Sequence, residues 1–197
     1  MKQPKIEIPF VAKRSHGDAP WQDFGGPISE YDFWAPHICG IACARSLILS
    51  ADDATPSMYS LTRQALDLGV FRIKDDQSVE GAFHAPLVAL LQQYGIAATV
   101  FARLAFRCIW KLTNDGVLIL SINLAKVRID LSGSHLVLIT GREDHYARIH
   151  DNARLLCKSG ISCRIHKSKL AAISNDRGIF VPWTSLARGP IGLTKPA

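Results

Sequence analysis

The sequence predicts an α+β fold, a helical front half followed by an antiparallel β-sheet. Three observations carry this. Apolar residues recur at helical spacing in segments between residues 38 and 94. Short apolar runs bounded by Gly, Asn and Ser turns take over from residue 96. The composition, 48% hydrophobic and 20% charged over 197 residues, suits one domain with a sizeable core and excludes a disordered tail or a disulfide-stapled miniprotein.

Residues 1–36 read as irregular, because Gly17, Pro20, Gly25, Gly26, Pro27 and Pro36 interrupt every period. We divide the chain into an N-terminal arm at 1–30 and one domain at 31–197. The aromatic residues Trp21, Phe24, Tyr31, Phe33 and Trp34 predict that the arm packs down. Ile38, Ile41, Ala42, Leu47, Ile48 and Leu49 fit a buried helix ending near Ser50. Thr55-Pro56-Ser57 offers a cap for a helix over 59–68, stopped by Gly69. Residues 70–82 read as a loop and 85–94 as a third helix. Strands are expected at 96–101, 117–122, 135–140, 146–150 and 178–182, with a short helix at 104–112. The unbroken apolar run Val117–Ile122 suits a central strand. The segment Gly141–His145 is expected to turn 135–140 back onto 146–150.

Lys and Arg number 23 against 17 Asp and Glu, a net charge of +6 that is scattered along the chain. Lys158, Arg164, Lys167 and Lys169 cluster without interleaved aromatics, so a solvated face is expected and no nucleic-acid partner. No apolar run is long enough to span a membrane, and the charged N-terminus does not read as a signal peptide. The five cysteines are odd in number and lack disulfide-like regularity, which points to a reducing, cytoplasmic compartment. Cys157, Cys163 and His166 match no common zinc spacing, so no metal and no cofactor are expected.

Chemistry is concentrated at Cys39, His135 and Asp151. Cys39 falls where the arm becomes an apolar helix, and a helix N-terminus favours thiolate over thiol. Gly40 allows close approach of a backbone or a substrate, and the free N–H groups there suit an oxyanion. Cys43, one turn further, faces the core. His135 opens an apolar strand after Ser132-Gly133-Ser134, in position to act as base and acid. Asp151 ends the next strand, and a hairpin would bring it beside His135 to fix the ring's tautomer, with Asn152 a weaker substitute. His84 reads as a capping or core residue that also stands near the cleft.

Cys39-Gly40-Ile41-Ala42-Cys43 resembles the Cys-Gly-x-Ala-Cys signature of double-glycine leader peptidases, the bacteriocin-processing branch of the papain-like clan. Ser134–Leu138 is similar to that family's His-x-Val-x-Leu strand, and His150–Ala153 to its Asp-Pro motif with Asn152 in place of proline. Gly81–Leu91 and Asp176–Ile179 resemble segments of soluble stand-alone relatives. The resemblance implies a papain-like fold and a Cys39 nucleophile, a His135 base and an Asp151 orienter. It implies a thioacyl-enzyme and a peptide, acyl or amide substrate, free or carrier-bound. The expected activity is a peptidase or amidohydrolase; the alternatives are an amide-forming transferase of natural-product biosynthesis and a non-catalytic peptide-binding module. The family's oxyanion glutamine, six residues before the cysteine, is Phe33 here. Trp34, through its indole N–H, and His37 are the expected substitutes, with Gln22 a remote one.

Overall fold

The structure, a computed structural model, describes residues 6–13, 23–51 and 56–187. Trp21, Gln22 and Thr55 lie outside the described residues. Four helices come first, α1 at Ile28–Trp34, α2 at Cys39–Ala51, α3 at Met58–Asp67 and α4 at His84–Gln93. A small hairpin, β1 at Phe71–Ile73 and β2 at Val79–Gly81, stands between α3 and α4. There follow β3 at Thr99–Phe101, α5 at Phe106–Leu112, β4 at Gly116–Asn123, α6 at Leu124–Val127, β5 at Ser134–Glu143 and β6 at Tyr146–His150. The last elements are β7 at Cys163–His166, α7 at Lys167–Ile173, β8 at Ser174–Pro182 and α8 at Trp183–Leu186.

The main sheet has six strands in the order β3-β8-β4-β5-β6-β7, every neighbouring pair antiparallel. β4 lies inside it and is buried on both faces, which is why its sequence is continuously apolar rather than alternating. Val117 and Ile119 face α2, α3 and α4 together with Leu136 and Leu138 of β5. Leu118, Leu120 and Ile122 face the opposite way, onto Ile109 and Trp110 of α5 and Leu170 and Ile173 of α7. Helices thus cover both faces of the sheet, whereas the sequence placed nearly all of them in front.

α2 is apolar almost all round because it is enclosed by the sheet, α3 and α4. Its Ser46 hydroxyl is satisfied by the Ala42 carbonyl at 3.1 Å. α3 starts at the expected cap, where Ser57 Oγ accepts the Ser60 N–H at 3.1 Å.

Several expectations need correction. The expected loop at 70–82 contains the β1–β2 hairpin. Its strands are too short to show alternation, and Asp76, accepting the Ser78 N–H at 2.9 Å, closes its turn with Gln77 at φ 63°. The β5–β6 turn is only Asp144-His145; Asp144 takes the positive φ that a two-residue turn needs, so β5 runs on to Glu143. The arm is not wholly irregular, since α1 crosses the expected boundary at residue 30. The segment 6–13 also joins the same body: Ile8 and Val11 are buried in the core, and His150 Nε2 donates to the Ile8 carbonyl at 2.8 Å. Phe24 packs edge-on against Tyr31 and Tyr59. Cys157 and Cys163 form a disulfide, so the chain does not carry five free thiols. The basic cluster does have aromatic neighbours, Tyr146 under Arg164 and Trp110 under Lys167, brought together by strand pairing and α7 rather than by sequence.

At Gly40 the helix comes so near its neighbours that a Cβ would lie 2.9 Å from Ala82 Cβ and 3.2 Å from methyls of Leu136 and Leu87. Gly40→Val forces α2 off the sheet. Urea unfolding is expected to show a loss of about 1–3 kcal/mol, the usual cost of overpacking a core.

Candidate active site

Cys39 is the first residue of α2. The helix's hydrogen bonding begins with the Ala42 N–H on the Ile38 carbonyl at 2.9 Å, so the N–H groups of Cys39, Gly40 and Ile41 have no intrahelical partner. The half-buried sulfur sits at the positive end of the helix.

His135 is the second residue of β5, paired with Ile122 of β4 and only 3% exposed. β6 stops pairing with β5 at His150, opposite Leu138. Asp151 therefore lies just beyond the ladder, free to reach diagonally back along β5. Its Oδ1 is 3.0 Å from His135 Nε2. Nδ1 is the ring's remaining nitrogen, and Cys39 and His135 are close enough to shift each other's pKa. The structure thus brings Cys39, His135 and Asp151 into one chain of contacts across 113 residues.

Asp151 is fully buried and each carboxylate oxygen is used. Oδ1 also accepts the Ala153 N–H at 3.2 Å, and Oδ2 accepts the Leu156 N–H at 2.6 Å. Burial pushes its pKa up, but the bonds to His135, Leu156 and Ala153 outweigh this and hold it below the usual carboxylate value. Burial likewise opposes a charge on His135, yet Asp151 on one side and Cys39 on the other raise its pKa to about 9. For Cys39, burial is overcome by His135, by a backbone hydrogen bond from Leu136 and by the charge of Lys13, and the thiol pKa falls. Cys43 behaves in the opposite way: burial and the nearby Cys39 push its pKa well above normal. Of two thiols one helical turn apart, only Cys39 is shifted toward the thiolate.

Asn152 does not orient the imidazole. Its side-chain amide N–H group lies 3.0 Å from the Cys39 carbonyl, 3.2 Å from the Leu136 carbonyl and 3.4 Å from Cys43 Sγ. It ties the start of α2 to β5 directly behind the thiol. The other expected auxiliary residues divide. Trp34 is 1% exposed and its indole N–H donates to Glu30 Oε2 at 2.8 Å, so it is a core residue and offers no donor to the site. Gly40 admits Ala82, Leu136 and Leu87 rather than a substrate. His37, half-buried two residues before Cys39, stays beside the site, and burial and Lys13 lower its pKa. Phe33 stacks edge-on against Trp34 and near His37. His84 is the first residue of α4 and caps nothing; burial and Arg177 lower its pKa.

Sequence reasoning missed Lys13. Its Nζ donates to the Pro36 carbonyl at 3.2 Å and its N–H to the Asn152 carbonyl at 3.1 Å, which places the N-terminal segment against the site. No local pattern announces this, because the partners lie 23 and 139 residues away. Two clefts of about 490 and 920 Å³ run along the same segment, and neither is lined by Cys39 or His135.

No protein-family model matches the chain, and no curated protein matches it. Solved structures do. A C39-like peptidase from Bacillus anthracis superimposes with a TM-score of 0.54 at 12% identity, over 90% of this chain and 95% of that one. The peptidase domain of Streptococcus ComA, a bifunctional ABC transporter of a quorum-sensing pathway, gives 0.49 at 14% identity, over 75% and 92%. A double-glycine-motif protease from an AMS/PCAT transporter, in complex with the leader peptide, gives 0.44 at 20%, over 73% and 84%. Mixed helices on an antiparallel sheet, with the helix N-terminus set against the strand start, give this chain the papain-like fold of the C39-like peptidases.

Proposed function

We propose that the chain is a cysteine peptidase acting on peptides, with Cys39 as nucleophile, His135 as base and acid, and Asp151 as orienter. One observation carries the reading. A buried carboxylate lies 3.0 Å from an imidazole whose other face meets a thiol at a helix N-terminus.

The pair is biased toward thiolate and imidazolium, since the thiol pKa is lowered and that of His135 is raised to about 9. The thiolate attacks the peptide carbonyl carbon. The negative charge that develops on oxygen is met by the unpartnered N–H groups at the start of α2, with the neutral His37 ring as a neighbouring donor. His135 then gives its Nδ1 proton to the leaving amine, and the carbonyl re-forms as a thioester on Cys39. Water, deprotonated by the now neutral His135, attacks the thioester and regenerates the pair. Asp151 stays ionised throughout and stabilises the imidazolium.

Three measurements test this. Alkylation by iodoacetamide with peptide mass mapping is expected to label Cys39 ahead of Cys43 and Cys108, with a pH midpoint below the ~8.5 of a free thiol. Cys39→Ala is expected to abolish peptide cleavage while leaving the urea midpoint within experimental error; cleavage at the wild-type rate in that variant would disprove the assignment. Asp151→Asn is expected to lower kcat by roughly 10³–10⁴-fold through the wrong tautomer.

The pH profile of kcat/KM should be a bell. Its acid limb is protonation of the Cys39 thiolate and lies below the ordinary thiol range. Its alkaline limb is loss of the His135 proton and lies near pH 9. Mass analysis of the products, with and without an added amine, shows whether water or an amine takes the acyl group.

A further inference from the structure

Asp151 is held by a loop that a disulfide ties off. Residues 151–162 contain no helix or strand, so nothing in their own backbone ladder fixes them. Within this stretch the Leu156 N–H donates to Asp151 Oδ2 at 2.6 Å, and the Gly160 carbonyl accepts the Asp151 N–H at 2.8 Å. Leu156 immediately precedes Cys157, and Gly160 lies inside the ring that the Cys157–Cys163 bond closes. The ring is braced further by the Gly160 N–H on the Cys157 carbonyl at 3.2 Å and the Ser162 N–H on His150 Nδ1 at 3.1 Å. Gly160 has φ 72°, and a Cβ there would lie 2.7 Å from the Asp151 carbonyl oxygen. At its far end, Cys163 opens β7 and pairs with Ile149, two residues before Asp151. The crosslink therefore joins the loop that holds the carboxylate to the strand beside the one that delivers it.

We infer that Cys157 and Cys163 are positioning residues for Asp151, and that the strength of the Cys39–His135 pair depends on whether they are joined. The inference rests on the peptidase reading and deepens it. In the oxidised chain, Leu156 and Gly160 hold the carboxylate in line with His135 Nε2. A dithiol reductant undoes this by exchange. Its thiolate attacks the sulfur of Cys157, the half-exposed partner, because Cys163 is only 4% exposed. The Cys157–Cys163 bond breaks and Cys163 leaves as a thiolate that takes up a proton. The reductant's second thiol then displaces Cys157 and leaves as the reductant's own disulfide, so two electrons pass to the chain and two thiols remain on it. With the ring open, Leu156 and Gly160 are no longer fixed, Asp151 moves away from His135, and the imidazolium loses part of its counter-charge.

The test uses the full chain in four forms: wild type, C157S/C163S, D151N, and the three substitutions together. Each is alkylated with iodoacetamide across pH, and Cys39 is read by peptide mass mapping. A parallel wild-type sample is reduced with a dithiol under native conditions and freed of reductant, which covers the case that C157S/C163S fails to fold. Opening the crosslink is expected to move the Cys39 midpoint up by about one pH unit and to slow labelling about tenfold at pH values below that midpoint. In the D151N background, opening it is expected to change nothing further, because its effect passes through that carboxylate. An unchanged midpoint on opening, or the same shift in the D151N background, overturns the inference. If Cys39 of the oxidised wild type reacts no faster than Cys108, the peptidase reading itself fails. A Cys39 equally activated in the oxidised and reduced chains removes only the role of the disulfide.

Discussion

The site depends on a helix and a strand meeting where the helix carries no side chain of its own. Gly40 lets the start of α2 settle against Leu136 of β5, and the Asn152 amide bridges the carbonyls of Cys39 and Leu136. Those carbonyls belong to Cys39 and to the residue beside His135. One side chain thus sets the spacing between the two reacting residues. Widening the gap would break the Asn152 bonds to both carbonyls, each contributing about 0.5–1.5 kcal/mol. The spacing is therefore enforced by hydrogen-bond satisfaction as well as by packing.

The second constraint is electrostatic. Thiolate, imidazolium and carboxylate amount to two negative charges around one positive charge, which explains a His135 pKa near 9 despite its burial. A buried carboxylate normally costs several kcal/mol in lost hydration. Here it is offset because His135, Ala153 and Leu156 all donate to it. The excess negative charge falls near Cys39, where the helix N-terminus, the Leu136 backbone and Lys13 stabilise it. Burial drives Cys43 toward the neutral thiol, and the neighbouring Cys39 adds to the effect.

Much of this was legible in the residues. α2, α3, α4 and the central strand announce themselves because long buried elements impose strong periods or long apolar runs. β1, β2 and α6 do not, since three or four residues carry too little pattern to separate from a loop. The covering of the second sheet face by α5 and α7 is also silent, because a helix's sequence shows that it has an apolar side but not which surface it meets. At the candidate site, the closeness of His135 and Asp151 was readable from a hairpin, and the place of Cys39 at a helix start from a boundary. The bulge between Ile139 and Gly141 and the late turn at Asp144 were not, and these set how far Asp151 overshoots the ladder. Trp34 failed as a donor for a reason no sequence states: its N–H was already committed to Glu30, one turn earlier on the same short helix.

That commitment shifts the weight of transition-state stabilisation. Phe33 has no donor, and Trp34 turns its own inward, so in the proposed mechanism the developing oxyanion falls to the backbone at the start of α2. A second protonated imidazole would compete with His135 for the charge on Cys39 and for its role as acid. Burial and Lys13 lower the His37 pKa, which keeps that ring neutral where His135 is charged. A neutral imidazole still presents one N–H. The two histidines near the thiol are thus driven in opposite directions by their surroundings. In the proposed mechanism His135 would carry a proton to the leaving group, while His37 keeps its charge unchanged.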